Sequence, residues 1–322
     1  MRSARGKRVF RLIRRLVSIG VPLLLVVQLT RVGWSEIYRS LPSHPGFYLI
    51  LLIIFAALPV SETLIYRHAF GLRLLTGLPI FFKKRVYNND VLNYSGEVYL
   101  YLWAERMLSL PNRQIIGSIK DNNIISAVAS TSFTVCLVGI LIMTDSILLP
   151  DAIANASLIQ GLSVLAVIAI LLAVVVKFRH AIFHVPVKSL VLFFGVHGTR
   201  MIVVSVLQVI QWSLVLPNTS LSILLTLLTV QIVANRIPVL PVKDLVFLGV
   251  SVQLTVMLDL SSAAVAGMLL TSIVLSRLMN LAILFLVGVH EFRTTRTTMG
   301  LASLSAEEEL DTSPVDSELG TR

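Results

Sequence analysis

Long apolar runs constrain this chain more than any other feature. A helix needs about 20 mostly apolar residues to cross the hydrocarbon core of a bilayer. Eight such stretches can be marked in the 322 residues: 14–33, 46–66, 123–147, 157–177, 188–214, 219–236, 240–258 and 262–290. Only 14% of the residues are charged, against about 25% in soluble domains, which excludes a pair of ordinary soluble domains. The expected fold is all-α: a polytopic integral membrane helix bundle of about eight spans.

The net charge is +10, and its placement says more than the sum. Seven of the first fifteen residues are Arg or Lys, whereas the stretch after Ala306 is acidic. No nucleic-acid-binding motif accompanies the basic residues, so no nucleic-acid partner is expected. Positive charges beside spans mark the cytoplasmic side. Segments 67–85 (Arg67, Arg73, Lys83, Lys84, Arg85), 111–121 (Arg113, Lys120) and 177–188 (Lys177, Arg179, Lys188) are therefore expected inside. Segment 145–156, with Asp145 and Asp151, is expected outside. The basic start resembles a signal peptide, but no small-residue cleavage pattern follows Leu29, so it reads as an uncleaved first span. This predicts a basic cytoplasmic N-terminus (1–13), a transmembrane domain (14–291) and a disordered, acidic cytoplasmic tail (292–322), in the plasma (inner) membrane. The single cysteine, Cys136, excludes an intrachain disulfide.

If 67–85 and 111–121 share a side, segment 86–110 does not cross and reads as re-entrant or interfacial. Irregular backbone at that depth must be buried in protein or line a wet cavity. A weak two-fold internal repeat points the same way. Asn88 precedes Glu97 by nine positions, as Asn235 precedes Asp244, and each carboxylate has an apolar follower. The re-entrant candidates are thus 86–110 and 235–258. Paired interrupted segments mark binding sites in transporters. Loop charge pulls the other way in the second half. A re-entrant 237–258 would carry Arg293 and Arg296 outside, so a crossing at 240–258 is retained and the repeat leaves at most a re-entrant start at 235–244.

Arg277 lies well inside the run 262–290. An ionisable group at mid-bilayer costs on the order of 3 kcal/mol, so it is paired or faces a cavity. We expect Glu97, Asp244 and Arg277 together, either holding a lipid phosphate or forming a structural ion-pair network. Asn280 shares a helix face with Arg277. A second polar stripe, His197, Arg200, Gln208 and Gln211, reads as a head-group groove or as interhelical hydrogen bonding with Arg200 snorkelling. A third, Asn123, Ser126, Ser130 and Thr134, reads as helix packing. The candidate binding and translocation residues are Asn88, Glu97, Arg200, Asn235, Arg236, Asp244, Arg277 and Asn280. No metal-ligand spacing, Asp-rich diphosphate motif, nucleophile elbow or Walker A loop occurs. No catalytic residue, metal or cofactor is expected.

Across about residues 10–290 the chain resembles the lysylphosphatidylglycerol synthase transmembrane-region family, whose members include flippase-like proteins. The resemblance rests on Asn88 and Asn89 followed by Ser95-Gly96-Glu97, and on Pro238, Pro241, Lys243-Asp244 and Arg277 within Leu275-Ser276-Arg277-Leu278-Met279-Asn280. Two departures stand out. Val239-Leu240-Pro241-Val242-Lys243 replaces the Gly-rich turn, and Asp244 stands where Glu is usual. There is also no room for the soluble aminoacyl-transferase domain. The resemblance implies translocation of an anionic membrane lipid through a polar cavity between two repeat halves, not lysine transfer. The alternative is a non-catalytic accessory subunit that scaffolds a glycosyltransferase or lipid-modifying enzyme, docking through its basic N-terminus and acidic tail.

Overall fold

The computed structural model describes residues 27, 29–31, 33–91, 94–143, 183–235, 243–258 and 260–311. Their regular structure is helical throughout. The helices are α1 (Trp34–Arg39), α2 (Pro45–Phe70), α3 (Leu74–Val86), a π turn (Tyr87–Val91), α4 (Ser95–Met107), α5 (Asn112–Met143), α6 (Val187–Ser213), α7 (Leu221–Asn235), α8 (Lys243–Met257) and α9 (Ser262–Asp311). Four are long and apolar enough to cross a membrane: α2, α5 to Leu141, α6, and α9 to Leu286. The expected span 157–177, most of 14–33, and residues 236–242 and 312–322 lie outside the described residues. The expected boundary between bundle and tail at 291–292 falls inside α9.

Local chemistry sets the helix ends. The His44 side chain accepts the Gly46 amide at 3.0 Å, and Pro45 opens α2 where its missing N–H costs nothing. Gly71, at φ 71°, closes α2 in the left-handed conformation, and its amide returns to the Arg67 carbonyl. Within α2, Pro59 cannot donate to the Phe55 carbonyl. Arg85 supplies the missing donor, its Nη1 lying 2.8 Å from that oxygen and its guanidinium over the Phe55 ring.

Side-chain contacts give the directions. Helix α3 folds back antiparallel on α2: Gly77 meets Thr63, Phe81 stacks on Tyr66, and Arg85 reaches Phe55. Helix α4 returns to the same end, where Asn112 at the start of α5 bonds Glu105. Helix α6 is antiparallel to α2, with His68 on Ser189 at that end and Gln211 donating to the Phe47 carbonyl at the other. Helices α7 and α8 begin and finish near this second end. Thr255 of α8 meets Ser262 of α9 at 2.5 Å, and Gly267 packs on the Ser40 carbonyl just ahead of α2.

Two apolar cores result. One, at the end where α2 finishes, contains Ile65, Phe81, Leu100, Ile115 and Phe193. The other, at the opposite end, contains Phe47, Trp212, Leu227, Leu248 and Val265. Helices α3 and α4 have 13 residues each, α7 and α8 15 each. At about 1.5 Å per residue these are ~20 and ~22 Å long, well short of a hydrocarbon core of about 30 Å.

Two expectations change. Lys83, Lys84 and Arg85, expected as cytoplasmic loop charges, lie in α3, and the first two are buried. They belong to the packing and carry less weight as orientation signals. Segment 111–121 is helical rather than a loop: α5 begins at Asn112, ahead of the apolar run marked from 123, and Ile115 and Ile119 carry its buried face through that segment.

Candidate functional site: a charged layer between two apolar cores

The π turn is the hub of the site. A π turn adds a residue to the helical ladder and re-aims the side chains that follow, and such turns recur at functional sites. Here it sends Asn88 and Asp90 into two separate charged clusters.

In the first cluster, Lys84 of α3 is 2% exposed and ion-pairs with two carboxylates, Glu62 of α2 in direct contact and Glu97 of α4 at 3.3 Å. Asn88 ties the turn to the start of α4. Its Nδ2 donates to Glu97 Oε1 at 3.2 Å, and its Oδ1 accepts the Gly96 amide at 2.8 Å. A Cβ on Gly96 would overlap the Lys84 carbonyl and Asn88 Oδ1, so only glycine lets the strands of the turn close here. Ser95 Oγ donates to the Tyr87 carbonyl at 2.7 Å, and Lys83 sits over the Tyr99 ring at 4.9 Å.

In the second cluster, Arg277 of α9 contacts Asp90 directly and lies 3.8 Å from Asp244 at the start of α8. Asn280, one turn further along α9, donates to the other Asp90 oxygen at 2.6 Å. The shared face of Arg277 and Asn280 expected from their spacing is the face that meets the π turn. Arg277 and Asp244 are 43% and 58% exposed, so this cluster opens onto the surface of the described chain while the first is enclosed.

Three further polar links accompany the layer. Asp121 of α5 is fully buried and accepts the His184 and Val185 amides at 2.6 and 2.9 Å, fixing the start of α6. Asn122 bonds His197 of α6 at 3.0 Å. Gln208 donates to Gln211, which bridges to the Phe47 carbonyl. On the α6 stripe, His197 and Gln211 thus make interhelical hydrogen bonds. Arg200 is half-buried and acts electrostatically on Arg85 and His197.

Of the expected residues, Asn88 joins Glu97, while Asp244, Asn280 and Arg277 come together. Arg277 takes Asp90 where Glu97 was one expected partner, and Glu97 takes Lys84. Asn235 ends α7, and Arg236 lies outside the described residues. Three central groups escaped the sequence reading. Glu62 is a carboxylate inside the run 46–66, a signal as strong as Arg277. Lys84 was counted as a loop charge. Asp90 directly follows the Asn88–Asn89 pair and carries no signal of its own in the sequence.

Among the described residues no group of His, Cys, Asp and Glu could hold a metal ion. No protein-family model, curated protein or solved structure matches this chain.

Proposed function

We propose that this chain is a membrane lipid transporter of flippase type, in which the charged layer receives the anionic head group of a phospholipid. One observation carries the reading: Arg277 joins the first interrupted segment, through Asp90, to the second, through Asp244. Two short helix pairs from opposite ends of the bundle meet at one guanidinium. Their lengths, ~20 and ~22 Å, together come close to the ~39 Å of the 26-residue α2, as two hairpins meeting near the midplane would require.

On this reading the order long–short–short–long occurs twice, as α2–α3–α4–α5 and as α6–α7–α8–α9, with the second inverted. Both short pairs are re-entrant. With the candidate spans 14–33 and 157–177 the chain then crosses six times and not eight. The conflict over the C-terminus disappears, because α7 and α8 enter and leave together and both termini stay on one side. The basic N-terminus assigns that side to the cytoplasm.

Guanidinium groups recognise phosphate through bidentate charge-assisted bonds. Arg277 is half-exposed, and its Asp244 contact is long enough to yield to a phosphate oxygen. Asp90 and Asn280 would keep the guanidinium in place during the exchange. The likeness to flippase-like members of the lysylphosphatidylglycerol synthase transmembrane-region family supports the same substrate class. No step in this scheme requires covalent catalysis, a metal or a cofactor.

The test is head-group translocation in vesicles of phosphatidylcholine and phosphatidylglycerol carrying the purified chain. Arg277→Ala should abolish translocation of labelled phosphatidylglycerol while the protein still folds and inserts. Unchanged translocation in that variant would refute the site.

A further inference from the structure

We propose that Arg85 is a second phosphate-binding group beside Arg277, and that Asp244 is a resident carboxylate which the phosphate of a head group must displace. The proposal rests on the head-group reading and gives that site its second cation and its built-in competitor.

Arg277 uses only part of its guanidinium. Nη1 contacts Asp90 and lies 3.5 Å from the Asn89 carbonyl. Nη2 makes no hydrogen bond among the described residues, and it lies 3.8 Å from Asp244 Oδ2. That separation is too long for a hydrogen bond, so Asp244 attracts this edge without satisfying it. A phosphate oxygen at hydrogen-bond distance would do both. Asp244 is 58% exposed and stands in the first turn of α8. It can turn to solvent while Asp90 and Asn280 keep their bonds.

Arg85 supplies the second cation. It lies five positions before Asp90, about one turn away through the π turn, and is close enough to Asp244 and Asp90 to feel both charges. Its Nη1 donates to the Phe55 carbonyl, and the Phe55 ring covers one face of the guanidinium. Its Nε–H is buried and has no partner among the described residues, a donor that a phosphate oxygen would satisfy. Arg200 of α6 adds positive field from behind. In the resting chain Asp244 feels both Arg277 and Arg85, and so stands where a phosphate would. A carboxylate in that place excludes weakly held anions and yields to one that meets both guanidinium groups, which is selection by competition.

The experiment measures association and not movement. The full chain is reconstituted in phosphatidylcholine vesicles with trace spin-labelled phosphatidylglycerol or phosphatidylcholine, and the motionally restricted fraction gives the relative association constant. The wild-type chain should prefer phosphatidylglycerol. Asp244→Asn removes the competitor, keeps its shape and should raise that preference about three- to fivefold. Arg85→Met should lower it about fivefold or more. That variant is made in a Pro59→Ala background, where residue 59 donates to the Phe55 carbonyl, and is compared with Pro59→Ala alone. Arg85→Lys in the same background should recover part of the loss. An unchanged or weaker preference in Asp244→Asn would make Asp244 a structural partner and overturn the proposal. An Arg85→Met preference equal to that of its background would overturn it too. Free glycerol phosphate should compete no better than sodium chloride at equal ionic strength. Displacement of the labelled lipid by it would identify a soluble phosphate ester as the occupant and overturn the lipid assignment. If Arg277→Ala alone lowers the preference, the head-group reading stands and this proposal falls. The expected associations without translocation would count against transport and leave the site standing.

Discussion

Replacing Lys84 by Met removes the cation that ion-pairs with both Glu62 and Glu97. At 3.3 Å and an effective dielectric near 20, the attraction to Glu97 alone is about 5 kcal/mol. Burying the ammonium already took back several kcal/mol of that, so the pair adds little net stability when complete. Deleting one partner is different, because the buried carboxylates stay behind uncompensated, at a cost of about 3–5 kcal/mol. Lys84→Met should therefore lose that amount in reversible unfolding from mixed micelles followed by helical circular dichroism. Adding Glu62→Gln and Glu97→Gln should restore most of it, since neutral amides no longer need the ammonium. A Lys84→Met chain within about 1 kcal/mol of wild type would refute the reasoning, as would a triple variant no more stable than the single.

Further outcomes follow from the same structure. Arg85→Met should destabilise the chain by about 1–3 kcal/mol by orphaning the Phe55 carbonyl left open by Pro59. In a Pro59→Ala background, where residue 59 donates to that carbonyl, the loss should shrink, giving a positive coupling in a double-mutant cycle. Asp121→Ala strands two amides at the start of α6 and should cost about 2–4 kcal/mol. Asp121→Asn keeps an acceptor and should cost less in the same unfolding assay.

The helical character and the positions of α2, α6 and the start of α9 were legible from apolar runs, because helices long and apolar enough to cross a membrane leave so strong a compositional mark. The pairing of Asp244 with Arg277 was legible from the cost of charge inside an apolar run, whereas the nine-residue spacing singled out Asn88 and Glu97 without pairing them. Loop charge misled where it was most trusted. Lys83 and Lys84 follow an apolar segment as topogenic charges do, but α3 folds back on α2 and buries them. No local rule distinguishes those cases, since the difference lies in Glu62, 22 positions away. The hub role of Asp90 was also hidden. It depends on the π turn, which no propensity predicts, and on Asn280, 190 positions further along the chain. The break between α7 and α8 was within reach, since Pro238 and Pro241 fall between the end of one and the start of the other.

Two hairpins entering from opposite faces and meeting at Arg277 form the central claim. It is tested most directly by sided labelling of single cysteines in a Cys136→Ser background, using a membrane-impermeant maleimide on sealed vesicles. Arg73→Cys and Pro111→Cys flank the first hairpin; Asn218→Cys and Ser261→Cys flank the second, and all four positions are exposed. The account predicts that 73 and 111 react from one face and that 218 and 261 react from the other. Residues 73 and 111 on opposite faces, 218 and 261 on opposite faces, or all four on one face, would contradict it.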